Sequence, residues 1–158
     1  MLRKFLPAIL VALSACQTIN ASPLDRAKGF IGLTETKDRQ EIKQLVGVDP
    51  VRTEWCAAFV NAMLNNAGIP GSESVSEYPL MARSFLDWGE EVHYTKIQYG
   101  DIVVFPRGNE GWKGHVGFYV GTYPPSGEWI ILGGNQNNQV KYSLYYPGRA
   151  ISIRRHIE

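Results

Sequence analysis

The chain has 158 residues, 44% of them hydrophobic and 20% charged, and a formal net charge of +1. That is the composition of one globular domain with a core large enough to fold without covalent staples. Arg3 and Lys4 lie in an N-terminal targeting pattern, and without them 14 basic residues face 15 acidic ones, which argues against a nucleic-acid partner.

Residues 1–15 pair a short basic start, Arg3-Lys4, with an apolar run from Phe5 to Leu13, the layout of an export signal. The run is too short for a comfortable transmembrane helix. It ends in Leu13-Ser14-Ala15-Cys16, which resembles the lipobox of bacterial lipoproteins. The resemblance implies cleavage before Cys16, a lipid anchor on that cysteine and a periplasmic location, with Gln17 compatible with outer-membrane sorting. The rival reading is cleavage after Ala21, which discards Cys16 and leaves a soluble periplasmic or secreted chain. Residues 16–23 then read as a tether and 24–158 as the folded domain.

Leu24 to Val48 has a helical pattern with a break from Gly29 to Thr36 and a second helix over Asp38 to Val46, where Asp38 and Glu41 have capping-box spacing. The next helix is predicted from near Glu54 to Ala67, stopped by Gly68-Ile69-Pro70. Pro79 to Trp88 reads as a shorter helix closed by Gly89. After Glu90 the signals change to strands over Ile102–Phe105, His115–Val120, Trp129–Leu132, Gln139–Leu144 and Ala150–Arg154, separated by glycine and proline breaks. Short connections favour antiparallel neighbours, so the expected fold is α+β, with N-terminal helices packed on an antiparallel sheet. Asp101 reads as a turn residue and Arg154-Arg155 as a solvated face.

Two residues carry reactive chemistry. Cys56 falls in the first turn of the predicted central helix, where free amides and the helix dipole favour an anion. His115 follows 59 residues later on a strand. Alternation puts Val116, Phe118 and Val120 on one face and His115, Gly117 and Tyr119 on the other. With the apolar face in the core, His115 is expected to face a cleft, and Gly117 to leave room there for a substrate or the cysteine-bearing helix. If Cys16 is acylated or removed, Cys56 is left unpaired in an oxidising compartment, which requires burial or use. His93, His115 and His156 have no metal-ligand spacing and no phosphate loop occurs, so no metal or cofactor is expected.

Trp55-Cys56-Ala57-Ala58-Phe59, Gly100-Asp101-Ile102-Val103-Val104-Phe105, Gly114-His115-Val116-Gly117-Phe118 and Gly133-Gly134-Asn135-Gln136 occur in that order. Together they resemble the CHAP-type (cysteine- and histidine-dependent amidohydrolase/peptidase) and NlpC-type branches of the papain-like peptidoglycan hydrolases, over roughly Ala27 to the C-terminus. The resemblance implies a papain-like fold in which Cys56 is the nucleophile and His115 the base that becomes the acid. Asn135 is the best candidate to orient the imidazole, although Gln136, Asn137 and Asn138 follow directly and a turn can present any of them. The implied substrate is an amide bond in peptidoglycan stem peptides or cross-links, cut through a thioester acyl-enzyme. Trp55 and Trp112 are candidates to line the groove. An acyltransferase with the same Cys–His pair and a wall-binding lipoprotein without turnover are the competing functions.

Overall fold

The computed structural model describes residues 21–157; the export signal, Cys16 and most of the tether lie outside them. Three helices come first: α1 (Pro23–Lys28), α2 (Arg39–Val46) and α3 (Cys56–Asn66). Ser22 caps α1 by accepting from the backbone N–H of Asp25 at 3.1 Å, and Pro23 takes the first helical position, where a missing N–H costs nothing. Asp38 does not cap α2 as the spacing suggested. Its carboxylate turns back to accept from the backbone N–H of Thr34 at 2.8 Å, a turn that competes for the same oxygen.

Helix α3 is buried on nearly every side, from Cys56 through Val60 and again at Met63 and Leu64. A helix apolar all round belongs inside a core. Phe59 alone, with no exposed surface, contributes about 2–3 kcal/mol of apolar burial. One polar residue on this helix, Asn61, is buried because it is fully used: it accepts from the Ser72 N–H at 2.8 Å and donates to the Ser72 hydroxyl and the Pro79 carbonyl. Those bonds hold the 67–81 loop against the helix. The stretch read as a helix from Pro79 tightens into a 3₁₀ segment over Ala82–Asp87.

The sheet has six antiparallel strands: β1 (Glu90–Glu91), β2 (Ile102–Pro106), β3 (Gly114–Thr122), β4 (Trp129–Gly133), β5 (Lys141–Tyr145) and β6 (Ser152–Arg155), in the order β1-β6-β2-β3-β4-β5. The fold class is therefore α+β, with helices and an antiparallel sheet as expected. The two-residue β1 had no sequence signal of its own. It exists because Glu90 and Glu91 pair with Arg155 and Arg154. Those arginines are not a free solvated face: Arg155 bonds the buried carboxylate of Asp101 at 2.7 Å, and Arg154 donates to the Trp88 carbonyl at 2.7 Å. Gln139 lies outside β5 and forms an isolated bridge with Thr34, tying the loop before β5 to the segment before α2.

Helix α3 packs on the face carrying Ile102, Val104, Val116, Phe118 and Leu132. The opposite face carries a second cluster of Val103, Phe105, Trp129, Ile131 and Ile153. Gly117 belongs to that second face, so the expectation that it makes room for the helix or a substrate is corrected. A Cβ there would stand 2.5 Å from Ile131 Cγ2 and 3.0 Å from the Leu132 carbonyl oxygen. The glycine lets β4 lie close to β3.

Candidate active site

Cys56 opens α3, and its thiol lies against the start of β3, where the backbone N–H groups of Val116 and Ala57 favour the thiolate. It is also 2% exposed. Burial pushes the thiol above its ordinary range, the Arg107 guanidinium and those two amides pull it back, and Glu54 adds a small push upward. The helix start therefore does not outweigh desolvation, and the resting group is a neutral thiol.

His115 stands one residue from Val116 and is 2% exposed, so it does not face an open cleft. Its ring stacks on Tyr145 of β5, with centroids 5.5 Å apart and planes 6° from parallel. Its Nε2 lies 3.0 Å from Gln136 Oε1. The amide of Gln136 cannot be the other way round, because its Nε2 donates to the carbonyls of Ile131 and Lys141. The Gln136 oxygen must therefore accept, the imidazole carries its proton on Nε2, and Nδ1 presents a lone pair. Burial first, and the Arg107 charge second, pull the imidazole down to about 3 against the opposing bond to Gln136. Thiol and imidazole are both neutral at rest.

Asn135, expected as the residue that orients the imidazole, does not touch it. Its side-chain amide donates to Glu54, while the neighbouring Gln136 reaches the ring. The reason is backbone geometry. Asn135, Asn137 and Asn138 adopt φ of 55°, 50° and 61°, the left-handed conformation that asparagine tolerates best among residues with a Cβ. This winding turns the Asn135 side chain toward the start of α3 and leaves Gln136 over the sheet. Gly134 permits the approach, since a Cβ there would meet Trp55 Cζ3 at 2.6 Å and Phe59 Cβ at 2.8 Å.

Arg107 is the member of the cluster that sequence reasoning passed over. Its guanidinium donates to Glu54 at 2.7 Å, to His115 Nδ1 at 3.2 Å and to the Asn135 carbonyl at 3.4 Å. A signal for it was present. Phe105 pairs with His115 in the β2–β3 register, so the residue two places after Phe105 lies at the hairpin end beside the histidine. Arg107, Glu54 and Cys56 line a groove of about 280 Å³ with Leu80, Met81 and Trp112. Trp112 thus fits its groove reading. Trp55 does not, being fully buried with its indole N–H on Glu35. A larger cleft of about 770 Å³ is lined by residues 91–94, 129, 147, 148 and 150–153 and contains neither Cys56 nor His115. Among the described residues, no group of three or more His, Cys, Asp or Glu side chains is placed to hold a metal ion.

Comparison with solved structures finds the same fold in an NlpC/P60 family protein from Bacillus cereus, at 17% identity and a TM-score of 0.55 over 88% of this chain and 40% of that one. A second match is a protein from Staphylococcus aureus described as similar to lipoprotein, NLP/P60 family, at 18% identity and a TM-score of 0.57 over 88% and 41% of the two chains. This chain thus spans about two-fifths of the length of those proteins. No curated protein matches the sequence. The CHAP domain family matches residues 48–135, which include Cys56, Arg107 and His115 and stop one residue short of Gln136. With more than half of its length matched and a papain-like arrangement of helices and sheet, the chain belongs to the CHAP family.

Proposed function

We propose that the protein is an exported cysteine hydrolase that cleaves amide bonds in the stem peptides or cross-links of peptidoglycan. The observation that carries the reading is the fixed tautomer of His115: the Gln136 amide, itself anchored by two carbonyls, reserves Nδ1 as a proton acceptor in the same cluster as a buried thiol. Family membership supplies the substrate class.

The step begins from neutral partners, not from a preformed ion pair. As Cys56 sulfur attacks the amide carbonyl, its proton passes to His115 Nδ1, and the carbonyl electrons move onto oxygen to give a tetrahedral intermediate. The backbone N–H of Cys56, one of the first amides of α3 without an intrahelical partner, is available to that oxygen. Collapse expels the amine, which takes the proton from His115 and leaves a thioester on Cys56. Water, deprotonated by the same Nδ1, then releases the acid and restores the thiol. Gln136 orients the ring through both transfers.

Export and a lipid anchor on Cys16 belong to the same proposal and place the domain beside the wall. Intact-mass analysis of the mature protein tests that part, since a chain starting at Ser22 without acyl groups rejects the anchor. For the reaction, purified sacculi incubated with the protein should release soluble muropeptides, and Cys56→Ala should release none. Undiminished release by the alanine variant rejects the cysteine mechanism. Mass spectra of the products identify the bond.

A further inference from the structure

Arg107 sits where a catalytic base needs to be free. With the Nε2 proton fixed by Gln136, Nδ1 has a single in-plane lone pair, and the Arg107 guanidinium occupies it at 3.2 Å. The thiol proton cannot use that lone pair at the same time. The guanidinium also stays charged at any working pH, so it opposes the imidazolium that proton transfer must create. The resting arrangement therefore holds a thiol and a base that is occupied by a neighbour.

What keeps Arg107 there is replaceable. Its strongest partner is Glu54 at 2.7 Å, whose side chain is 72% exposed, and an ion pair that open to water contributes little. Arg107 itself is partly exposed and lines the same groove as Cys56. The other cation of the groove, Lys113, is engaged with Glu110 at 2.9 Å and lies over the Trp112 ring. Arg107 is thus the cation whose release changes the state of the base, and its planar fork matches a carboxylate.

We infer that Arg107 is a carboxylate-reading latch: a free carboxylate flanking the scissile amide replaces Glu54, draws the guanidinium off His115 Nδ1, and so frees the base only for substrates that carry it. The inference rests on the hydrolase reading and names the substrate feature that the site selects. The preferred substrates are peptides with an unmodified acidic group beside the cleaved bond. The same peptides with that group converted to a primary amide keep the shape and lose the charge.

The test uses the full folded protein and two synthetic stem peptides, one with its internal carboxylates free and one with them amidated. Wild type is expected to favour the free form in kcat/KM by roughly tenfold or more, the order given by one charge-assisted bidentate contact. Arg107→Met should bring the ratio close to one, and should raise kcat on the amidated peptide above the wild-type value, because the lone pair is no longer occupied. A residue that only binds substrate would lower the first rate without raising the second. The acid limb of kcat/KM should also move to higher pH in Arg107→Met, as a positive neighbour leaves the imidazole; the other titratable groups around that ring are Glu54 and Cys56 from the start of α3 and Tyr145 from β5. Arg107→Lys, which keeps the charge without the fork, should retain part of the preference. Equal hydrolysis of both peptides by wild type, or an unchanged preference in Arg107→Met, overturns the latch and leaves the hydrolase reading intact. Failure of wild type to cleave either peptide or sacculi overturns the hydrolase reading, and the latch falls with it.

Discussion

Replacing Gln136 by leucine separates the two residues that compete for the third position of the site. The side chain is 3% exposed and makes three bonds, accepting from His115 Nε2–H at 3.0 Å and donating to the carbonyls of Ile131 and Lys141. Leucine has similar bulk and makes none of them. The imidazole N–H is then buried without an acceptor, and a group stripped in this way costs about 1–3 kcal/mol. Each carbonyl has a second lone pair, so their combined loss adds about 1 kcal/mol. The sum, about 2–4 kcal/mol, corresponds to a Tm lower by roughly 6–16 °C for a domain of this size. Asn135→Ala removes a bond to Glu54, whose side chain is 72% exposed, and puts alanine at φ 55°, which together should cost about 1–2 kcal/mol. Nitrogen-15 NMR of the His115 ring reads the chemistry directly. Wild type and Asn135→Ala should show the proton on Nε2, and Gln136→Leu should lose that preference together with hydrolysis. If Gln136→Leu keeps the tautomer and Asn135→Ala loses it, the assignment of the orienting role to Gln136 is refuted.

Three further outcomes follow from the same geometry. His115, held at about 3 when folded, binds its proton more readily in the unfolded chain, so stability from this residue is complete above about pH 6.5 and declines as pH falls toward 3. Urea titrations should therefore show a loss of about 1.4 kcal/mol per pH unit below 6.5 that His115→Gln lacks; equal slopes in the two proteins would remove the buried neutral imidazole from the account. The Cys56 thiol, pushed up by burial, should react with iodoacetamide more slowly than free cysteine at neutral pH, and Arg107→Met should shift its reactivity to still higher pH by removing a favourable charge; a reactive thiol with a lowered apparent pKa would contradict the neutral resting state. Gly134→Ala puts a methyl against Trp55 and Phe59, and the overpacking should cost about 1–3 kcal/mol by thermal melting. It should reduce hydrolysis further than the melt predicts, since the loop that carries Gln136 must move; full activity would show that the close approach is not required.

The contrast between what was legible in the sequence and what was not has one physical cause. Cys56 and His115 announce themselves because their chemistry depends on local position: a helix start and a strand start are written in periodicity and in breaks, and β2 to β6 follow the predicted segments within two residues. Gln136 and not Asn135 meets the imidazole because the left-handed asparagines at 135, 137 and 138, on either side of Gln136, turn their side chains in directions that no period describes. Alternation placed Gly117 on the right face, but the space there is filled by Ile131 and the close approach of β4, which the β3 segment by itself does not reveal. Arg107 shows the remaining kind of blindness. It has no motif, yet the pairing of Phe105 with His115 brings it to the ring, where it bonds the imidazole and also pulls the Cys56 thiol toward the thiolate. Its two effects oppose each other, favouring the thiolate and disfavouring the imidazolium, so burial holds both groups neutral and the Arg107 charge adds to burial at the imidazole while working against it at the thiol. Moving that charge a few ångströms changes which proton transfer is allowed, and the side chain that carries it is partly exposed and bound to a carboxylate that solvent also reaches. In this fold the helix and the sheet set the positions of the thiol and the imidazole, and the hairpin tip sets when they act.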